Sequence, residues 1–303
     1  MPRAGVRSAL IAVVGPTASG KSELALELAA RVGGEVVNAD SMQLYRGMDI
    51  GTAKLLPAQR RGVEHHLLDV WDVTRPASVA DYQCQARDII DGLLDRGVTP
   101  LLVGGSGLYV RAVIDRLVFP GTDPELRASL EAELAAAGPA PLYQRLGTLD
   151  PAAAAAIPAT NGRRIVRALE VGMLTGAPWS ASMPRRDPHY DVVQIGLDPP
   201  RPTLYQRIDT RVGRMFDEGL VEEVRALAAR GLRDGPTARR ALGYRQVLAL
   251  LDGDLTEAQA RAETAKATRR FARRQRSWFA ADPRVHWLPG PDPAAASKLL
   301  GSG

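Results

Sequence analysis

The sequence predicts an α/β fold, a parallel sheet flanked by helices and interrupted by an all-helical insertion, on three observations. Residues 9–14 are a short apolar run, residues 15–20 a glycine-bearing turn, and residues 21–32 an amphipathic stretch with Leu24, Leu26, Leu28, Ala29 and Val32 on one face. That is a buried strand feeding a helix through a loop. Further short apolar runs at 35–38, 99–103 and 192–197 alternate with helical stretches, the pattern of parallel strands with crossover helices. Between the last two, residues 120–185 contain helix signals and nothing that reads as a strand.

In chain order, the second strand leads to Asp40, a helix covers 79–95, and the third strand ends in Gly104-Gly105. From Pro120 the pattern changes. Thr122 or Asp123 caps a helix that has Pro124 in its first turn and runs to Gly138. Helices follow at 142–149, 151–157 and 161–175, the last closed by Gly176. After the strand at 192–197 come long helices at 203–230, 237–251 and 256–280, a strand at 285–288, and a Pro/Ala/Gly-rich tail. The expected organisation is a core of residues 1–118 and 190–303, with residues 119–189 inserted as a helical domain.

Composition narrows the function classes. A length of 303 residues with 45% hydrophobic content excludes a disordered chain. The single cysteine, Cys84, excludes an intramolecular disulfide and a Cys-rich zinc site, and the expected compartment is the cytosol. In its helix, Cys84 reads as a small buried side chain. No apolar run reaches the roughly 18 to 20 residues that span a bilayer, so no membrane partner is expected. Arg3 and Arg7 before the first apolar run mimic a signal peptide, but that run is short and ends in Gly-Pro, so it is read as a strand. The net charge is only +5, from 39 Lys+Arg and 34 Asp+Glu. It is unevenly placed: residues 201–276 hold 17 Lys+Arg and 10 Asp+Glu, a balance of +7. Such a region suits a polyanionic partner, and equally a set of solvated Arg-rich helices.

Gly15-Pro16-Thr17-Ala18-Ser19-Gly20-Lys21-Ser22 matches Gly-x4-Gly-Lys-Ser/Thr between a strand and a helix. Glycines let backbone N–H groups turn towards an anion, the helix adds its positive end, Lys21 adds a point charge, and the Ser22 hydroxyl can ligate Mg²⁺. The core is therefore expected to be P-loop NTPase-like, with a bound di- or triphosphate. An NTP hydrolase normally adds a strand that ends in an acidic Mg²⁺ ligand. Here the third strand ends in glycines, and the carboxylate is Asp40, after the second strand. Strand ends on the loop side of a parallel sheet bind ligands, which places Asp40 opposite the phosphate cradle; a turn cap is the other reading of that position.

The phosphate loop, Asn38-Ala39-Asp40-Ser41-Met42-Gln43-Leu44-Tyr45, Met48 to Lys54, His65 to Asp69, Val103 to Tyr109 and Gly243-Tyr244-Arg245-Gln246 occur in this order. Together they resemble the tRNA dimethylallyltransferases, over nearly the whole chain. Ser22 and Ser106 stand where threonine is common in that family, and both keep the hydroxyl.

The resemblance implies transfer of a dimethylallyl group from dimethylallyl diphosphate to N6 of the adenosine immediately 3′ of the anticodon, releasing diphosphate. It implies tRNA as partner, Mg²⁺ as cofactor, an ATP-binding type of loop and a monomer. The loop would then stabilise a leaving group. Asp40 is the candidate base for the N6 proton, and Lys21, Ser22 and Arg211 the candidates to act on the diphosphate. Arg207 and Arg211 lie four apart on one helix face; spacing alone leaves them free to pair with Asp209 or Asp217, and the resemblance favours Arg211. By the same resemblance Asp40, Ser41, Met42 and Gln43 line a pocket for the turned-out adenosine, and Ser106 and Arg127 help to hold it. The remaining RNA contacts would come from Arg163, Arg164 and Arg167, from Arg240, Gly243, Tyr244 and Arg245, and from Arg273, Arg274, Gln275, Arg276 and Trp278. Trp278 and Phe279 also suit a core. His65 and His66 beside Glu64 and Asp69 suit packing or RNA contact better than a metal site.

The nearest competing expectation is an isopentenyltransferase acting on free adenylates, which would need neither the insertion nor the basic region. A small-molecule kinase and a non-catalytic RNA-binding module are the others.

Overall fold

The computed structural model describes residues 10–179 and 186–301; Arg3, Arg7 and Ala9 lie outside them. Two compact units divide the chain. One runs to Ile114 and resumes at Tyr190; the other spans Asp115–His189, beginning four residues before the expected position 119.

The first unit is built on six parallel strands: β1 (Leu10–Val14), β2 (Gly34–Asn38), β3 (His65–His66), β4 (Thr99–Gly104), β5 (Val192–Leu197) and β6 (Val285–Leu288), in the order β3-β2-β4-β1-β5-β6. β1 is central and buried along its whole length. Its side chains alternate between two cores, as the two-residue period of a strand requires. Leu10, Ala12 and Val14 join one core with helices α2 (Val79–Asp95) and α3 (Gly107–Ile114); Ile11 and Val13 join the other with α1 (Lys21–Val32). β1 lies between β4 and β5; the chain leaves it through α1 for β2, beyond β4, and α1 and α2 cover opposite faces, so the loop after β1 sits at the switch point where α/β sheets bind ligands.

The second unit is all helical: α4 (Pro124–Ala137), α5 (Pro139–Leu149), α6 (Pro151–Ala156) and α7 (Gly162–Thr175). Asp123, rather than Thr122, caps α4 by accepting from the Glu125 and Leu126 amides. Asp150 and Asn161 cap α6 and α7 in the same way, and Gly176 closes α7 in the left-handed region. Leu130, Leu142, Leu146, Ile157, Ile165 and Leu169 form its own core.

Back in the first unit, the expected helix at 203–230 is two helices, α8 (Arg201–Asp217) and α9 (Leu220–Ala229). Gly219, at φ 104°, breaks it, a conformation glycine adopts without strain. The expected helix at 237–251 is largely turn before α10 (Tyr244–Leu251), while α11 (Glu257–Ala280) runs nearly as predicted. The tail contains a helix, α12 (Pro293–Leu300), capped by Asp292 and anchored by the buried Ala296. Cys84 is exposed, with its thiol on the outer side of α2 near Asp88; the helix turns Tyr82, Ala86 and Ile90 inward instead.

Two buried attachments hold the segment between β2 and β3. Lys54 Nζ donates to Tyr45 O at 2.9 Å and pairs with Asp49 and Asp69 at 2.6 Å each. The Glu223 carboxylate of α9 accepts from the backbone amides of Asp49, Ile50 and Gly51 and from the Tyr244 hydroxyl. Gly51 has no room for a Cβ, which would lie 2.4 Å from the Tyr244 ring. Glu223→Ala strands four donors at once and should cost about 2–3 kcal/mol of stability, the scale of hydrogen bonds to a charged acceptor. Urea unfolding measures it, and a loss under about 0.5 kcal/mol would contradict this account.

Candidate active site

Three strand ends meet at the C-terminal edge of the sheet, and each brings one part of the site. β1 ends in the loop Gly15 to Gly20, β2 in Asp40, and β4 in Gly104 to Ser106. Backbone here is packed so closely that a Cβ on Gly15 would lie 2.6 Å from Leu197 O, at the end of β5, and one on Gly104 would lie 2.2 Å from Ala39 O, just after β2. Gly15 and Gly20 have φ of 133° and 100°, which glycine alone adopts readily.

Gln275 of α11 fastens two of these ends together. Its Oε1 accepts from the Thr17 amide, and its Nε2 donates to Gly105 O, both at 2.9 Å. Lys21 Nζ donates to Pro16 O at 2.6 Å, within the loop. Arg211 Nη1 reaches Thr17 Oγ1 at 3.5 Å. Its expected alternative partners are taken, Asp209 by Arg269 and Asp217 by Arg261. Ser19 is fully buried in the loop, and its hydroxyl has no partner among the described residues. A buried, unpartnered hydroxyl inside such a loop fits a phosphate oxygen.

Asp40 caps its own turn, accepting from the Met42 amide at 3.0 Å, so the turn-cap reading also holds. That does not exhaust the carboxylate. Burial raises its pKa above the usual aspartate value, against the opposing pull of the Met42 amide, Lys21, the Gln43 amide and Arg211. Burial lowers Lys21 to about 8, with Asp40 opposing and Arg211 assisting. Burial also lowers Arg211, helped by Arg214 and opposed by Asp40. One carboxylate and two cations thus share a desolvated pocket.

These groups line a cavity of about 430 Å³. Its lining includes the polar residues Thr17, Lys21, Ser22, Asp40, Arg211 and Gln275 and the apolar residues Leu26, Val36, Leu55, Leu68 and Val103. Nothing in the sequence marked those apolar residues, because they come from five separate segments and look like ordinary core. Ser106 does not line the cavity; its hydroxyl accepts from the Ser41 amide at 3.1 Å.

A family model described as IPP transferase matches residues 43–282, most of the chain. The tRNA dimethylallyltransferase of Streptomyces coelicolor is 66% identical over 281 residues, covering 93% of this chain and 90% of its own length. Among solved structures, the full-length tRNA isopentenylpyrophosphate transferase of Bacillus halodurans superposes with a TM-score of 0.71 at 41% identity, covering 97% of each chain. A eukaryotic dimethylallyltransferase acting on tRNA shares the fold, with a TM-score of 0.80 at 24% identity over 94% of this chain and 74% of that one. The chain belongs to the IPP transferase family.

Several residues of this IPP transferase that are expected at the RNA make contacts within the protein. Gln275 is only 5% exposed, with both ends of its amide used on the loops. Tyr244 is fully buried and gives its hydroxyl to Glu223, and Gly243 beside it is buried as the cap of α10. In the helical unit, Arg127 and Arg167 pair with the fully buried Glu170 at 3.2 and 2.8 Å, and Arg167 also donates to Pro120 O and Gly121 O. A buried carboxylate needs such partners, which the sequence could not reveal. Arg163, Arg164, Arg240, Arg245, Arg273, Arg274 and Arg276 are exposed. Arg164 lies over the Trp179 ring, and Arg276 pairs with Asp198. Phe279 is core, whereas Trp278 is 42% exposed and flat against Gly107, where a Cβ would meet its ring at 2.1 Å. His66 Nε2 donates to Glu35 at 2.6 Å and His65 Nδ1 to Val63 O at 2.9 Å. Both are packing contacts, and among the described residues no three His, Cys, Asp or Glu side chains gather as for a metal.

The depressed Lys21 pKa has a measurable consequence. A bound anion favours the protonated amine, so affinity for inorganic diphosphate should fall as pH rises past about 8, by up to about tenfold per unit. Lys21→Arg stays charged throughout and should flatten that fall; calorimetric titration at pH 7 to 9.5 measures both. Equal slopes in the two proteins would remove Lys21 from the diphosphate site.

Proposed function

We propose that this transferase moves a dimethylallyl group from dimethylallyl diphosphate to N6 of the adenosine immediately 3′ of the anticodon in tRNA and releases diphosphate. The observation that carries the reading is the cavity itself, whose lining joins a phosphate loop and a carboxylate of raised pKa to the apolar side chains Leu26, Val36, Leu55, Leu68 and Val103. A kinase has no use for apolar side chains beside its phosphate loop. A five-carbon allylic tail does.

The exocyclic amine of adenine is a weak nucleophile, because its lone pair is delocalised into the ring. Asp40 accepts the N6 proton as the new C–N bond forms, and its raised pKa makes it a stronger base than an exposed aspartate. The allylic C–O bond breaks at the other end of the exchange, and its electron pair leaves with the diphosphate. Lys21, Arg211 and the loop amides face that growing charge and need no rearrangement to meet it. Gln275 holds the Thr17 amide, and so fixes part of the cradle from behind. Ser22 is exposed at the start of α1, and its hydroxyl has no partner among the described residues, so it would be the residue to hold a Mg²⁺. When bound, that ion neutralises leaving-group charge.

RNA is favoured over a free adenylate as acceptor, because exposed arginines extend well beyond the cavity, through α11 and through Arg163 and Arg164 of the helical unit. Ser41, Met42, Gln43 and Ser106 would line the pocket for the turned-out base. We further propose a monomer working in the cytosol, and that ATP reaches the loop only as a competitor of dimethylallyl diphosphate.

Two experiments test this. Purified protein with labelled dimethylallyl diphosphate and Mg²⁺ should label unmodified tRNA and leave AMP unlabelled; the reverse would overturn the acceptor. Asp40→Asn should lower single-turnover transfer by about 10² or more while tRNA affinity stays within about twofold. Near-normal turnover in that variant would remove Asp40 from the role of base.

A further inference from the structure

Outside the cavity, the start of α8 and the middle of α11 place several guanidinium groups around one phenol. The Tyr205 hydroxyl oxygen accepts from Arg201 Nε and from Arg273 Nη1, each at 2.9 Å. The guanidinium carbon of Arg201 lies 5.1 Å from the Tyr205 ring centroid, and that of Arg269 lies 6.0 Å from it on the α11 side. Arg273, and then Arg201, pull the phenol below its ordinary pKa.

The neighbouring cations are neutralised. Arg269 pairs with Asp209, and Arg276 with Asp198 at 2.9 Å. Arg201 and Arg273 are exposed and have no carboxylate partner among the described residues. Two like charges are therefore drawn to one uncharged oxygen. Arg201 is also the first residue of the 17-residue α8, whose free amides add positive potential at the same place. Guanidinium forks fixed side by side match the oxygens of a phosphate. None of the three residues lines the cavity.

The geometry points to a second phosphate subsite, made by Arg201 and Arg273 and aimed by Tyr205, that takes one backbone phosphodiester of the RNA. It rests on RNA being the acceptor. An open surface site with two cations holds a lone phosphate poorly, and contributes chiefly where other contacts already hold a long polyanion in place. Tyr205 is a positioning residue here: its oxygen spaces and orients the two forks, and the phosphate replaces it as their shared acceptor or joins it.

The test compares Arg201→Ala, Arg273→Ala, Arg201→Lys and Tyr205→Phe with the unaltered protein, each first checked for an unchanged melting temperature; Arg273→Gln replaces any Arg273→Ala that fails this. Fluorescence anisotropy follows an anticodon stem-loop RNA from 50 to 300 mM salt, and calorimetry follows inorganic diphosphate. Each Arg→Ala variant should weaken RNA binding roughly fivefold at 0.1 M salt and lower the log–log salt slope by about one. Arg201→Lys should restore the slope but only part of the affinity. Tyr205→Phe keeps the ring and both cation–π contacts; it should raise KM for tRNA about threefold and leave kcat unchanged. Diphosphate affinity should not move in any variant. Unchanged RNA affinity and slope in both Arg→Ala variants would overturn the subsite, and so would a fall in diphosphate affinity alone. If the unaltered protein labels no tRNA yet binds RNA in an Arg201-dependent way, the acceptor assignment fails and the subsite stands.

Discussion

The closeness of four strand ends is the constraint from which the site follows. Backbone meets backbone where Gly15 after β1 faces Leu197 of β5 and Gly104 of β4 faces Ala39 after β2, with no space for a single methyl group. The second approach brings Asp40 towards the strand that pairs with β1, and so towards the loop after β1. Gln275, 170 residues further along the chain than Gly105, then ties the β1 loop to the β4 loop. An amide is well suited to the task, since one end accepts from an N–H while the other donates to a C=O, without bringing a charge into the cradle. Lys21 and Arg211 therefore stay beside the loop, while Arg61, the other arginine lining the cavity, pairs with Glu27.

Those cations and Asp40 destabilise one another's surroundings less than burial destabilises each alone. Removing water pushes Asp40 up and Lys21 and Arg211 down, and their mutual attraction recovers only part of the cost. The net shifts stay on the side of neutrality. A site in this condition is improved by a ligand that brings negative charge to the cations and a proton to the carboxylate. In the proposed reaction a departing diphosphate and an adenine amine would do those two things in one exchange, and the strain would be relieved along the reaction rather than by a rearrangement of the fold.

Much of this was legible in the sequence because local patterns coincide with chemistry. The apolar run before Gly15, the spacing of Gly15, Gly20, Lys21 and Ser22, and the caps Asp123 and Gly176 each act within a few residues of themselves. What escaped was set by distant partners. β3 is two residues long and exists as a strand only because it pairs with Val36 and Val37. α12 shows a single buried residue, Ala296, which no periodicity singles out. Gly219 divides a continuous helical pattern because glycine can take φ 104° there, and the same residue type elsewhere need not. Tyr244 and Gln275 are expected at the RNA by resemblance, and their bonds to Glu223 and to the β1 and β4 loops depend on partners from other parts of the chain. Cys84 read as buried because a free cysteine in a helix usually packs inward, whereas the helix turns this one outward.

Charge shows the same limit most sharply. The balance of +7 in residues 201–276 counts every guanidinium as equal. Pairing separates them: Arg233 is held by Asp252, Arg261 by Asp217 and Glu257, Arg269 by Asp209 and Arg276 by Asp198, so these present little field to a partner. Arg211 is turned inward to the loop. Arg201 and Arg273 share only a phenol. A polyanion gains most where it replaces a weak acceptor with a strong one, and least where it must compete with a carboxylate already in place. The potential that recruits RNA is therefore set by which arginines lack an acid, a property of the folded arrangement that the number of arginines does not contain.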